Sequence, residues 1–397
     1  MNDNAGQTRQ AAVTPFDTAK LDRLMEEAGI DVIVATSKHN TQYLMGGYKF
    51  IFFAAMDAIG HSRYLPMVIY EKGAPDHSAY VGNRMEGAEH QNNPFWTPAV
   101  HTATWGTQDA AGLAVEHLKK IGKAGGRIGI EPAFLPSDAR DLLASRLDGA
   151  RFVDATHVLE RLRAVKTPDE LAKLRRASEL ITDSMLATIA AARAGSTKME
   201  IIEQLRREET NRGLHFEYCL LTLGSSHNRA GSPQAWVEGE ILSIDSGGNY
   251  HGYIIGDLCR MGVLGEPDAE LEDLLAEVEC IQQAAFAKVR AGAAGREMIV
   301  AAEAELKASP SAAFTDFFCH GMGLIAHEAP FLMTNHPVTY DGIDADKPLE
   351  AGNVISVETT MLHPKRGFIK LEDTLAITDG GYEMFGDRGR GWNRGGG

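Results

Sequence analysis

Five chemically demanding residues sit inside apolar, strand-like runs in the second half of this 397-residue chain. Asp245 lies in ILSIDSGG, Asp257 in GYIIGDLC, His320 in FFCHGMG, Glu358 in NVISVETTM and Glu372 in GFIKLEDTLAIT. A carboxylate buried in a strand is costly unless a cation or hydrogen-bond donors compensate it. No comparable set of lysines and arginines lies in those runs. The economical fold is one that draws distant strands side by side, so that all five groups converge on one cationic centre. Two divalent ions would bring four positive charges to four carboxylates. A carboxylate-rich two-metal site of that kind activates water or polarises a substrate oxygen.

Length and composition narrow the rest. A chain of 397 residues exceeds one typical domain, and 44% hydrophobic residues supply a sizeable core. The net charge of −15 argues against nonspecific nucleic-acid binding, which needs basic patches. No run approaches the 18 or so apolar residues of a membrane span. The opening text MNDNAGQTRQAAVTPF has no apolar core, so it reads as frayed over residues 1–14 rather than as a secretory signal. Cys219, Cys259, Cys280 and Cys319 show no short metal-binding spacing, Cys259 and Cys319 read as buried thiols, and the composition points to a reducing cytoplasm.

The pattern of elements changes partway along the chain. Asp17 or Thr18 caps a first helix with Leu21, Leu24, Met25 and Ala28 on one face, and Gly29 ends it. Apolar runs at 30–36, 64–70 and 127–132 read as strands, and VEHLKKIG as an amphipathic helix between them. This alternation predicts an α/β domain over 15–158. Neither Gly-rich phosphate-loop motif occurs there, which argues against a nucleotide cofactor. Thr167, Pro168 and Glu170 form a capping box with proline at the first helical position, and Thr197 with Glu200 forms a second. Strands at 215–223, 240–247, 252–263, 353–362 and 367–378 follow, interrupted by helices at about 268–291 and 295–308. They predict an α+β domain over 159–390 with a curved antiparallel sheet. Residues 391–397, in the Gly/Arg-rich tail, read as loose.

Asp245 and Asp257 are twelve residues apart, and a hairpin turning at the Gly-Gly-Asn stretch would unite them. Taken singly, each acid or histidine has an ordinary explanation in a turn, a salt bridge or a satisfied core position. Taken in chain order, D…D-x-x-R…H-x-x-G…H…E…E-D resembles the creatinase/prolidase/methionine aminopeptidase superfamily with its pita-bread catalytic domain. The likeness covers roughly residues 160–390. Residues 15–155 resemble the smaller domain that precedes it in creatinase, prolidase and aminopeptidase P, with SKHNTQYLMGG matching its Asn-x-x-Tyr-Leu-x-Gly text.

The resemblance implies a ligand set. Asp245 and Asp257 are ligands with Asp257 bridging, His320 and Glu358 share one metal, and Glu372 bridges. Manganese is the first expectation for such a donor set, with iron, cobalt or zinc also compatible. Glu358 is the expected general base, and His227 or His327 the stabiliser of the oxyanion. The spacing leaves open whether His227 or Asn228 faces the substrate. Arg260 matches the arginine that orients carboxylates. The implied reaction is cleavage of a C–N bond in a dipeptide or short peptide of the Xaa-Pro class, by a homodimer. The alternatives are a relative acting on a small catabolic substrate such as creatine, ectoine or dimethylsulfoniopropionate, and a binding module without catalysis.

Four departures bear on substrate. The Asp245–Asp257 spacing is one residue longer than usual, which a β-bulge after Gly252–Tyr253 would absorb. Asp316 stands where prolyl-specific members carry a histidine. Lys370 replaces their usual arginine, and a lysine cannot reproduce a bidentate contact. Thr359 takes the place of the proline that follows the fourth ligand.

Overall fold

The computed structural model describes residues 13–58, 60–251, 254–334 and 343–396. The chain divides into two compact units, Met1–Leu162 and Arg163–Gly397. Residues 1–12 of the expected frayed segment lie outside the described residues.

The first unit contains helices α1 (Thr18–Ala28), α2 (Lys38–Leu44), α3 (Glu86–Asn92), α4 (Thr107–Lys120), α5 (Ser137–Arg146) and α6 (Thr156–Ala164, running just past the division). Its strands are β1 (Val32–Ala35), β2 (Met67–Glu71), β3 (Ala74–Asn83), β4 (Ala99–Thr104), β5 (Arg127–Ile130) and β6 (Arg151–Asp154). They form one mixed sheet in the order β4-β3-β2-β1-β5-β6. Both faces are buried. Val32 and Val34 pack with Ala111, Ala114 and Leu118 of α4, whereas Ile33 and Ala35 pack with Leu21 and Met25 of α1. Asp17 caps α1 by accepting from the Lys20 N–H, and Gly29 closes it in the left-handed region at φ 67°.

The second unit has helices α7 (Pro168–Ala191), α8 (Lys198–Asn211), α9 (Ala269–Phe286) and α10 (Gly295–Ala308). Its strands are β7 (Leu214–Leu223), β8 (Ile241–Tyr250), β9 (Ile254–Leu264), β10 (Thr315–Gly321), β11 (Val354–His363), β12 (Gly367–Thr378), β13 (Gly381–Phe385) and β14 (Asn393–Gly395). Both capping boxes form as the text implies. The sheet runs β10-β11-β12-β9-β8-β7, with β13 beside β12 and β14 beside β9. Strand alternation sorts its side chains. Leu242, Ile244 and Leu258 pack under α7 and α8, while Phe317, Cys319, Ile355, Val357 and Leu375 pack with residues of α9 and α10. The residues between them point to the opposite face.

Three local expectations change. The Gly-Gly-Asn stretch is not a turn; it lies within β8, and the chain reverses after Tyr250. The β8–β9 ladder keeps one register from Ile241↔Val263 to Tyr250↔Ile254, so it contains no bulge; Gly252 and Tyr253 themselves lie outside the described residues. The tail expected to be loose is held. Asn393–Gly395 pairs in parallel with the end of β9, Trp392 is buried and donates to the Leu271 carbonyl at 3.1 Å, and Arg390 pairs with Asp373. The tail's arginines and tryptophan find partners that a composition-based reading does not see.

Candidate metal centre

Register explains how residues so far apart in sequence meet. Asp245 pairs with Cys259, Cys259 with Glu372, Glu372 with Glu358 and Glu358 with Phe318. Directly paired residues share a face, so Asp245, Glu372 and Glu358 stand in one transverse row. Asp257 and His320 are each two residues from a member of that row and emerge on the same face. All five are 8% exposed or less.

Three overlapping groups bring ligand atoms within 4.8 Å of one another: His320 with Glu358 and Glu372; Asp245 with Asp257 and Glu372; and Asp257 with His320 and His327. His320 Nε2 lies 3.8 Å from Glu372 Oε1 and 3.9 Å from Glu358 Oε1. Its Nδ1 lies 3.1 Å from the Gly321 carbonyl, a contact that assigns the ring proton to Nδ1 and turns the Nε2 lone pair toward the carboxylates. Nε2 is buried and without a hydrogen-bond partner. The His327 ring lies flat on His320, with centroids 3.8 Å apart and planes within 5°. Gly321 permits this, because a Cβ there would meet the backbone of Ala329 at 2.4 Å as the following loop folds back.

The electrostatics are those of a site short of positive charge. Burial, then Glu372 and Asp245, pushes the Asp257 carboxyl well above the usual range. Burial raises Glu358, Lys370 pulls it down, and Glu372 contributes to a net rise. Burial would also raise Glu372, but Lys370 and His320 outweigh it and hold that carboxyl below its usual range.

Cations from the chain are nonetheless present. Lys370, expected at the substrate side, instead turns to the acids: its ammonium reaches Asp245 Oδ2 at 2.7 Å, Glu372 Oε2 at 2.9 Å and also Glu358. Arg229 bonds the same Asp245 oxygen, and the Tyr218 hydroxyl donates to Asp257 Oδ1. Gly247 makes room for Tyr218, since a Cβ would meet its ring at 2.5 Å. Sequence reasoning missed Arg229 and Tyr218. Tyr218 had one usable signal, its place two residues from Leu220 on a strand flanking Asp245. Arg229 had one too, standing next to the two residues weighed for the substrate position.

The remaining expected residues are dispersed. His227 is on an exposed loop with Nε2 3.3 Å from the His363 carbonyl, and Asn228 is exposed beside it. Neither is among the ligand groups. Asp316 is exposed on β10, on the His320 face, paired across with Thr360, which in turn pairs with Lys370. Arg260 lies on the opposite face of the sheet. It donates to Asp373 Oδ1 at 2.9 Å and to the Glu372 carbonyl at 2.9 Å, so it fixes the backbone behind the row and not a ligand carboxylate. Thr359 is buried on that opposite face too.

Carboxylate oxygens with one imidazole nitrogen suit a hard or borderline divalent ion. The orphaned Nε2 and the raised Asp257 both fit such an ion: it would give the nitrogen a partner and offset the crowded charge.

Comparison with known proteins places this geometry. The profile of metallopeptidase family M24 matches residues 172–379, and that of the creatinase/prolidase N-terminal domain matches residues 18–165. The chain is 26% identical over 365 residues to a probable dipeptidase, PepE, of Mycobacterium tuberculosis, covering 89% of each chain. It is 26% identical over 233 residues to an Xaa-Pro dipeptidase of Pyrococcus furiosus, covering 56% of this chain and 63% of the relative. Its fold superposes on that of an Xaa-Pro dipeptidase from Bacillus anthracis with a TM-score of 0.80 at 20% identity, over 95% of this chain and 98% of the other. Ligand chemistry on one face of the antiparallel sheet and the match over more than half of the chain agree: this chain belongs to metallopeptidase family M24 and carries a creatinase/prolidase N-terminal domain.

Proposed function

We propose that this chain is a metal-dependent peptidase that hydrolyses the C–N bond of a dipeptide or short peptide, with Xaa-Pro dipeptides as the first substrate class. The observation that carries the reading is the grouping of Asp245, Asp257, His320, Glu358 and Glu372 around an unpartnered, buried His320 Nε2. Two divalent ions, manganese first, are the loading that this donor set favours. When bound, they supply Lewis acidity and activated water.

The chain's own residues do the rest. Asp257 and Glu372 would be the acids shared between the ions, and Glu358 would accept and pass on the proton that reaches the leaving nitrogen. His327, stacked against His320, supports the oxyanion. The His227 imidazole instead contacts the His363 carbonyl on an exposed loop. Asp316 borders the substrate side, and Arg260 steadies the strand that bears Glu372. The likeness to the family favours a homodimer. Four cysteines without a disulfide favour a reducing compartment such as the cytoplasm, and no helix among the described residues is long and apolar enough to cross a membrane.

The test is hydrolysis of Ala-Pro and Gly-Pro against Ala-Ala by the manganese-loaded and the chelated protein. Release of proline that depends on metal supports the reading. Turnover of creatine or dimethylsulfoniopropionate with none of the dipeptides would overturn it.

A further inference from the structure

Glu328 follows His327 in the chain, yet the two side chains leave the backbone on opposite sides. Gly321 and Glu328 form an antiparallel bridge, with the Glu328 N–H donating to the Gly321 carbonyl at 2.9 Å. Paired residues share a face, and their neighbours point to the other one. His320 and His327 are therefore diagonal neighbours across this bridge, which accounts for their stacked rings. The Phe318 ring lies beside them, its centroid 5.9 Å from that of His327. His327 is half-buried, whereas Glu328 is 2% exposed.

The buried carboxylate meets two cations. Arg163 Nε donates to Glu328 Oε2 at 3.0 Å and Lys166 Nζ to Oε1 at 2.9 Å, and the Leu324 N–H adds a third bond to Oε2 at 3.2 Å. Arg163 and Lys166 are themselves buried. Burial alone would raise the Glu328 carboxyl, but Lys166 and Arg163 outweigh it and hold it below its usual range. Gly323 makes the packing possible, because a Cβ there would meet Glu328 Oε1 and, at 2.7 Å, Lys166 Cε. The cations are in turn fastened to the sheet. The Lys166 N–H donates to the Gly352 carbonyl at 2.9 Å and the Asn353 side-chain amide to the Ala164 carbonyl at 3.1 Å, just before β11, the strand of Glu358. The loop is tied to the same sheet by the Met322 N–H on the Val354 carbonyl and by the Ile255 N–H on the Gly323 carbonyl, each at 3.0 Å.

A buried ion cluster is weak evidence for stability, since desolvation offsets much of its attraction. Its charge-assisted bonds do fix direction, and here they fix the residue next to His327. We propose that Glu328, clamped by Arg163 and Lys166, is the positioning residue that holds the His327 imidazole over His320 for the reaction. Release of the carboxylate lets the backbone between the two residues rotate, and the imidazole leaves the His320 face. This inference rests on the peptidase reading and extends it to three residues outside the ligand set.

The test compares Glu328→Gln, His327→Ala and the double variant, all manganese-loaded, on Ala-Pro. Glu328→Gln should lower kcat about 10- to 100-fold with KM within about twofold, the cost of a misplaced catalytic group. In the His327→Ala background the same change should cost less than about twofold more, because the group being positioned is already gone. Glu328→Asp, which keeps the charge, should recover part of kcat. A second readout needs no turnover. In the metal-stripped protein carrying isotope-labelled histidine, the imidazole resonance that vanishes in His327→Ala should be displaced by the ring currents of His320 and Phe318. Glu328→Gln should return it toward the position of an exposed imidazole. If Glu328→Gln does not fold, Lys166→Met makes the same comparison with Arg163 still on the carboxylate. Multiplicative losses of kcat in the double variant, or an unmoved imidazole resonance, would defeat the proposal. Absence of metal-dependent dipeptide turnover in the wild type would instead sink the peptidase reading, while the imidazole resonance still judged the role of Glu328.

Discussion

Each unit of this protein buries acidic side chains in or beside a sheet, and the two do so in opposite ways. In the first unit Glu131 is fully buried, and its carboxylate accepts from the Thr36 N–H at 2.6 Å, the Ser37 N–H at 2.8 Å and the Asn40 side-chain amide at 2.6 Å. Glu86 is likewise surrounded by the hydroxyls of Tyr48, Tyr64 and Tyr80. Those carboxylates are saturated by neutral donors and hold a loop or a turn. In the second unit four carboxylates crowd one another, and a buried imidazole nitrogen beside them has no partner. Burial of an acid is therefore no sign of a chemical site. What separates the two regions is whether the neighbours complete the hydrogen bonding.

The strongest attack on that distinction removes Glu372, proposed above to be shared between the ions. Glu372→Ala should lower kcat/KM by at least about 10³-fold and abolish manganese binding, while the melting profile of the stripped protein stays cooperative. Full metal content in that variant would erase the contrast between the units.

A second test concerns Glu209, which lies behind the ligand row against Ser246 with one oxygen buried and unpartnered. Burial pushes its carboxyl up to about 8, from an ordinary value of 4.5. A raised folded-state value means that its contribution to stability is complete below about pH 4.5 and lost as pH rises through about 8. Chemical denaturation of the wild type at pH 5 and pH 8.5 should therefore show a loss on the order of 3 kcal/mol that Glu209→Gln does not share. Parallel pH profiles would remove Glu209 from the list of acids left short of donors.

The mirror experiment is in the first unit. Glu131→Ala strands three buried donors and should cost about 3 kcal/mol in urea denaturation, with manganese stoichiometry unchanged. A change in metal content would mean that a saturated carboxylate also serves the metal. The smallest expected effect is that of His327→Ala, which should lower kcat by about 10²-fold with little change in metal content or melting temperature. Loss of an ion would recast His327 as a ligand, as its grouping with Asp257 and His320 permits.

How much of this was legible follows from where each side chain gets its direction. Asp245, Glu358 and Glu372 stand on long strands whose period of two fixes which face they share, and apolar neighbours such as Ile244, Val357 and Leu371 mark the other. Lys370 obeys the same rule, and its presence beside the acids was available from parity alone. As the replacement for an arginine it points to substrate, whereas its parity points to the acids. Arg229 comes from a loop, where no periodicity predicts direction, and the same holds for His227. The Gly-Gly-Asn stretch misled because glycine serves two purposes. Here Gly247 clears space for Tyr218 and Gly248 for Glu209, and neither turns the chain. In the first unit β3, β4 and β6 went unread. β6 is only partly buried, and the exposed first residues of β3 give little apolar signal.

The ligand row has a bearing on biosynthesis. Its members are spread over the 128 residues from Asp245 to Glu372, which a ribosome adds in roughly 6–25 s at about 5–20 residues per second. Until β12 emerges, no nascent chain offers the complete set of donors. The first unit can fold while its successor is still being made, but an emerging chain must carry several uncompensated acids in apolar strands during that interval. A complete donor set, and with it full metal capture, is thereby tied to the end of sheet assembly.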